Sequence, residues 1–199
     1  MTTTAIAVPK VAIVYHSGYG HTAVVAEQVA RGVADAGGEA QLLKIEGLTQ
    51  DFGPLLDTVT AADAVIFGAP TYMGDVSAPF KAFADASSRV WFTLGWKDKI
   101  AAGFTNSQSF SGDKLHALQS LSILAAQHGM IWVGQGEPVP TIPAAERGPQ
   151  TINRVGASTG LMTQADNAGP DVTPPSGDRE AGRRFGVRIT QAARRWGRA

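Results

Sequence analysis

The chain of 199 residues contains no cysteine. Disulfides, thiolate metal sites and thiolate nucleophiles are therefore excluded, and any electrons the protein carries must pass through a bound cofactor. Net charge is missing as well, because 17 Lys and Arg balance 17 Asp and Glu. The excess of cations by which a general nucleic-acid binder displaces counterions from phosphates is absent, so no nucleic-acid partner is expected. No apolar run approaches the roughly 20 residues needed to span a bilayer, and Met1 to Lys10 shows neither the basic segment nor the apolar core of a secretory leader. A cytoplasmic protein without membrane insertion is expected.

What is present is the composition of one globular domain, 1–199, which at this size can bury roughly 70% of its unfolded surface without staples. The neutral total conceals an imbalance. Residues 1–178 carry 10 basic and 16 acidic side chains, whereas Arg179 to Ala199 carries seven Arg against Glu180. Phe185, Ile189, Ala192 and Trp196 recur on one helical face of that tail. A basic helix at about 179–197, docked by its apolar stripe, is expected rather than a free basic arm.

Five short runs rich in β-branched residues recur along the chain: Val11 to Tyr15, Ala40 to Ile45, Ala64 to Gly68, Ile100 to Thr105 and Met130 to Val133. They are apolar nearly throughout, as in strands of a parallel sheet covered on both faces. Helical repeats lie between them: Val25, Val29 and Val33 before Gly37-Gly38, Phe80 and Phe83 after Pro79, and Leu115, Leu118, Leu121 and Ala125 before His128-Gly129. The alternation predicts an α/β fold that binds ligands at the carboxyl ends of its strands. A Pro- and Gly-rich stretch at about 137–178 has little periodicity and reads as one long loop, functional or oligomer-forming.

Three loops at those strand ends stand out. Ser17-Gly18-Tyr19-Gly20-His21-Thr22 joins the first strand to a helix, where backbone N–H groups and a helix dipole can hold a phosphate with no Lys or Arg in the segment. The Gly-Lys-Ser/Thr of a Walker loop is absent. A dinucleotide fingerprint stays open, since Gly18-x-Gly20-x-x-Ala23 fits it and Glu46 follows the second strand. Pro70-Thr71-Tyr72-Met73-Gly74 offers N–H groups, a hydroxyl and an aromatic or thioether surface to a flat heterocycle, ahead of Ser77 as a helix N-cap. The third loop, Asn106-Ser107-Gln108-Ser109-Phe110-Ser111-Gly112, is a row of hydroxyls and amides around one Phe. No nucleophile stands beside a base, and no His pairs with carboxylates at metal-ligand spacing, so neither an acid/base residue nor a metal site is assigned.

Taken together with Trp91 and Gln127-His128-Gly129-Met130, these loops resemble the WrbA family of flavodoxin-like NAD(P)H:quinone oxidoreductases over about residues 10–135. The resemblance implies a flavodoxin-like three-layer sandwich, with a five-stranded parallel sheet of order 2-1-3-4-5 and helices on both faces, binding FMN. It implies that Ser17 to Thr22 hold the phosphate and Thr71 to Met73, flanked by Pro70 and Gly74, lie along the flavin. Asn106 to Ser111, closed by Gly112, would reach its far edge and ribityl chain. His128 would complete the site from a neighbouring subunit of a dimer or tetramer, and Tyr19 and Trp91 would flank the nicotinamide or quinone. The chain departs from the family pattern at Tyr72-Met73, where members have Arg followed by Phe, and at Gln108 to Ser111, where they are Gly-rich.

The expected function is an FMN-dependent oxidoreductase moving electrons from NADH or NADPH to a quinone or similar acceptor. Two alternatives are an NAD(P)H-dependent FMN reductase that releases its flavin, and a flavodoxin-like electron carrier.

Overall fold

The computed structural model describes residues 8–197, so most of the segment Met1 to Lys10 lies outside the described residues. In chain order the elements are β1 (Lys10–His16), α1 (His21–Asp35), β2 (Glu39–Ile45), α2 (Gly53–Ala61), β3 (Ala64–Tyr72) and β4 (Asp75–Val76). There follow α3 (Ala78–Ala86), α4 (Ser88–Trp91), β5 (Ile100–Ser107), α5 (Lys114–Gln127), β6 (Ile131–Trp132), β7 (Leu161–Gln164) and α6 (Ser176–Trp196). The parallel sheet runs β2-β1-β3-β5-β6, with β7 also on β5. This is the flavodoxin order, with β4 a hairpin partner of β3 that stands outside the count.

The period-2 alternation of the buried strands sends side chains to two cores. Val11, Ile13 and Tyr15 of β1 face α1 and α6, where Val25, Val29, Phe185 and Ile189 close the first core. Ala12 and Val14 point the other way, to Leu56, Phe80, Phe83, Trp96, Leu118 and Leu121 under α2, α3 and α5. The three layers follow from that alternation. The edge strand β2 is the exception to continuous burial, and most of its residues are half-buried or exposed.

The stretch expected to be a loop from 137 to 178 contains a strand. The fifth strand is split: Ile131 and Trp132 pair with Ile100 and Ala101, the chain leaves as residues 133–160, and Leu161 to Gln164 return to pair with Phe104 to Ser107. Trp132 Nε1 donates to the Thr159 carbonyl at 2.7 Å and ties the two halves together. Helix α6 begins at Ser176, three residues earlier than its basic composition suggests.

The basic tail is a docked helix, and most of its described cations have partners within the chain. Arg183 pairs with Asp35 and Glu180, Arg184 with Glu180, and Arg194 donates to the carbonyls of Ala36 and Gly37 at the end of α1. A cation on those carbonyls also meets the negative end of the α1 dipole. We expect Arg194→Met to cost about 1 kcal/mol in urea unfolding, with no change in slope. One member of the expected stripe is corrected: Trp196 is 49% exposed, and Ala181 and Ala193 complete the buried face instead.

Candidate functional site

A crevice of about 590 Å³ opens at the carboxyl ends of β1, β3, β5 and β7. Tyr19, His21 and Thr22 form one wall, Pro70, Thr71 and Tyr72 the second, and Asn106, Ser107 and Gln108 the third. The structure thus brings together part of each of the three loops singled out in the sequence, while Met73, Gly74 and Ser109 to Gly112 stand outside this lining. Ala165 to Pro170, following β7, supply a fourth wall that sequence reasoning missed. Among the described residues, no helix is long and apolar enough to cross a membrane, and no cluster of acidic or imidazole groups could hold a metal.

The first loop is a cradle of free donors. Gly20, at φ 91°, turns the chain into α1. The backbone N–H groups of Tyr19, Gly20, His21 and Thr22 have no partner among the described residues, while the Ser17 hydroxyl accepts from the N–H of Ala23 at 3.1 Å. His21 Nε2 lies 2.8 Å from the Ala168 carbonyl, and a Cβ on Gly20 would stand 2.9 Å from Pro170, so the fourth wall leans directly on this loop. No Lys or Arg lines the crevice. An anion there would be held by N–H dipoles and hydroxyls.

Behind these donors the floor is polar and satisfied. The hydroxyls of Thr71 and Thr105 meet at 2.7 Å, and Thr163 donates to Asn106 Oδ1 at 2.8 Å. Tyr72 and Met73 occupy the β3–β4 hairpin, with Met73 (φ 48°) and Gly74 (φ 87°) as its two central residues. Positive φ at both positions is the demand of a tight hairpin turn, which leaves the Met73 side chain fully exposed at the rim. The Tyr72 ring packs edge-on against Tyr19, with centroids 6.2 Å apart. Burial and the neighbouring Tyr19 push its phenol above the usual range, opposed by the Gly18 N–H. Ser77 occupies the N-cap position without bonding the helix; its hydroxyl instead meets His16 Nδ1 at 2.8 Å, and burial holds that imidazole below its usual pKa.

Further expected site residues stand elsewhere, Phe110 and Ser111 in a separate hollow with His116 and Val155. His128 is 2% exposed at the end of α5, its Nε2 2.8 Å from the Ser87 hydroxyl and its ring 4.2 Å from that of Trp96. Buried in this way, it presents no surface to a neighbouring subunit. Trp91 lies beyond the far end of α3, packed on Phe92 and outside the crevice lining. Glu46, the acid of the dinucleotide alternative, pairs with Lys44 at 2.6 Å on the exposed edge and does not line the crevice.

The third loop is held from behind by groups with no sequence signal. Lys114, fully buried, donates Nζ to the Ser107 hydroxyl at 3.0 Å and to the Ser109 carbonyl. Gln164 Nε2 donates to the Gln108 carbonyl at 2.8 Å. Arg154 makes a two-point ion pair with Asp178 (3.0 and 3.2 Å), reaches Gln164 Oε1, and lays its guanidinium 5.0 Å over the Phe110 ring. A buried ammonium is costly, and desolvation pushes Lys114 down to about 8, against the pull of Asp178.

Because that value is below the ordinary lysine range, the unfolded chain binds a proton more readily between about pH 8 and 10.5. Stability should therefore rise with pH across that window by on the order of 2 kcal/mol relative to Lys114→Met, read by denaturant unfolding of both proteins. Parallel pH profiles for the two would count against it.

A three-layer flavodoxin-type sandwich with an anion cradle and a polar crevice at its strand ends defines the class of protein. The sequence pattern of the NADPH-dependent FMN reductase family matches residues 9–140. Flavodoxin FldP of Pseudomonas aeruginosa (strain UCBPP-PA14) is 41% identical over 182 residues, 92% of this chain and 95% of that protein. An NAD(P)H dehydrogenase (quinone) of Syntrophobacter fumaroxidans is 31% identical over 208 residues, 94% of this chain and 98% of that protein. Among solved structures, a flavodoxin, WrbA-like protein from Agrobacterium tumefaciens superposes with a TM-score of 0.72 at 40% identity, covering 94% of this chain and 98% of that one. The chain belongs to the NADPH-dependent FMN reductase family and to its WrbA-like, flavodoxin-fold members.

Proposed function

We propose that this chain is an FMN-dependent oxidoreductase that takes electrons from NADH or NADPH and passes them to a quinone or a similar small acceptor. The observation that carries the reading is the cradle at Tyr19 to Thr22: unpartnered N–H groups at a helix start, in a crevice without Lys or Arg, beside a wide cavity with both polar and apolar lining. That donor set suits a phosphate attached to a large neutral heterocycle. FMN, when bound, supplies the hydride and electron transfer, which explains why the loops hold no nucleophile with its base.

The chain's own residues bind and orient. Ser17, Gly18, Gly20, His21 and Thr22 would hold the phosphate through N–H and hydroxyl donors. Pro70, Thr71, Tyr72, Met73 and Gly74 would flank the ring on one side. Asn106 to Gly112 would reach its far edge and the ribityl chain. Tyr19 and Tyr72, packed edge-on at the rim, would exclude water from one side and offer an aromatic surface to an incoming nicotinamide or quinone. Trp91 could join that surface from a second subunit, since it is 41% exposed beside Phe92 and Leu94. We therefore favour a homo-oligomer, dimer or tetramer, which sedimentation would check. The cytoplasm, where NADH and NADPH are supplied, is the compartment that fits this chemistry.

Two further readings remain to be separated from this one. The relative that is 41% identical over nearly the whole chain is called a flavodoxin, which favours an electron carrier. The family description favours release of reduced FMN. Anaerobic addition of NADH or NADPH to the FMN-loaded protein should bleach its flavin absorbance within seconds, and benzoquinone should restore it without FMN lost on dilution. Failure of both nucleotides to bleach the flavin would leave the carrier reading; loss of FMN on reduction would leave the reductase that releases it.

A further inference from the structure

The crevice has no Lys or Arg in its lining, yet two cations are buried directly behind its third wall. Arg154 is matched by Asp178, which it contacts at two points, and that carboxylate also accepts the Gln164 N–H at 2.7 Å. Lys114 has no carboxylate of its own. Its bonds go to the Ser107 hydroxyl and the Ser109 carbonyl, groups of the wall itself. The charged groups facing it are Arg154 from the 133–160 insertion and Asp178 from α6, so the buried cluster carries one uncompensated positive charge. Asp113, the preceding residue in the chain, is the N-cap of α5.

We propose that Lys114 is a positioning residue for the cofactor: it fixes the loop Ser107 to Gly112 against the flavin and supplies the buried positive charge that favours the reduced, more negative cofactor over the oxidised one. This rests on the FMN reading above. Three features of the site agree with it. The split fifth strand brings β7 and Gln164 against the loop, where Gln164 bonds the Gln108 carbonyl. Arg154 covers Phe110, the apolar residue of the loop, from the same side. A lysine whose role was stability alone would have no reason to be buried, since replacing a buried charge by an apolar side chain of similar length is often neutral or stabilising.

The test uses full-length protein stripped of FMN, titrated with FMN by quenching of flavin fluorescence, with midpoint potentials measured on the reloaded protein. At pH 7, Lys114→Met should raise the FMN dissociation constant by about tenfold. It should also weaken the reduced complex a further tenfold, which shifts the two-electron potential by about 30 mV to the negative. Lys114→Arg, which keeps the charge, should retain the wild-type potential. Above about pH 8 the gap between wild type and K114M should close as the ammonium loses its proton, with the bound and reduced cofactor moving that step upward from the value of about 8 in the empty site, a change that a purely structural lysine would not produce. The wild-type profile reads the same charge without any substitution, and a profile with no step above about pH 8 that K114M lacks overturns the inference. So does K114M that matches wild type in affinity and potential. Wild-type protein that binds no FMN would overturn the cofactor reading itself, a result plainly different from a bound flavin with an unmoved potential.

Discussion

Gly20→Val is expected to weaken FMN binding by roughly a hundredfold, an effect of about 2.8 kcal/mol. Two independent costs meet at this position. Its φ of 91° lies where a β-branched residue is strained by about 1–3 kcal/mol, so the turn must rearrange or hold the strain. The new Cβ would also stand 2.9 Å from Pro170 Cγ, and the neighbouring N–H groups of Tyr19, His21 and Thr22 would lose their common aim as the loop moved away. An anion held only by dipoles is sensitive to that aim, because no lysine or arginine lines the crevice to compensate. Titration of the stripped variant with FMN reads the change. A dissociation constant within twofold of wild type would remove the phosphate from this loop. Gly18→Ala provides the contrast: its Cβ would meet the Tyr72 hydroxyl at 2.4 Å, the far end of a side chain that can swing out, so the loss should be nearer tenfold.

The features legible in the sequence were those that need a distinctive residue. Val11 to Tyr15 and Ala64 to Gly68 are unbroken apolar runs because both faces of β1 and β3 are covered, and the glycines and hydroxyls of the three loops are there for backbone approach and donation. The strand β7 was hidden for the opposite reason. Of Leu161, Met162, Thr163 and Gln164, the last two are buried polar residues satisfied by Asn106, Gln108 and Asp166, so the segment fails any test for an apolar run. Its pairing with β5 depends on a return of the chain after residues 133–160, which no local pattern records. The wall Ala165 to Pro170 was lost with it.

Individual polar residues misled in a related way. Lys114 carries no signal in the sequence, and only the packing of β7 and α6 around it makes it a buried donor. The family resemblance makes His128 a site residue and local position makes Ser77 a helix cap; in the fold each has a tertiary partner, Ser87 and His16 respectively. A short polar side chain takes whichever partner the fold brings near it, and that partner lies far away in sequence.

Gly186→Val should be the most destabilising of these substitutions, costing about 4 kcal/mol and lowering Tm by roughly 10 °C. Glycine inside a helix costs about 1 kcal/mol relative to alanine, so its presence in α6 calls for a contact that repays the loss. That contact is the crossing of α6 on α1. A Cβ at Gly186 would lie 2.0 Å from the Val29 carbonyl oxygen, and one at Gly32 would lie 1.8 Å from that of Arg183. Both clashes are with backbone, so relief requires the helices to part, which uncovers Phe185, Ile189 and Ala193. Gly182, one turn earlier, is the control. Its Cβ would stand 3.3 Å from Gln28 Cβ, a far milder approach than the backbone clash at Gly186, and Gly182→Ala should leave Tm within a few degrees of wild type. Because Asp178 lies in the first turn of α6 and anchors Arg154 and Gln164, the displaced helix should also loosen the third loop, and FMN affinity should fall in G186V but not in G182A. Thermal unfolding followed by circular dichroism, with FMN titration of the same samples, measures both effects; a Tm drop below about 3 °C in G186V would mean that the helices can separate without uncovering the core.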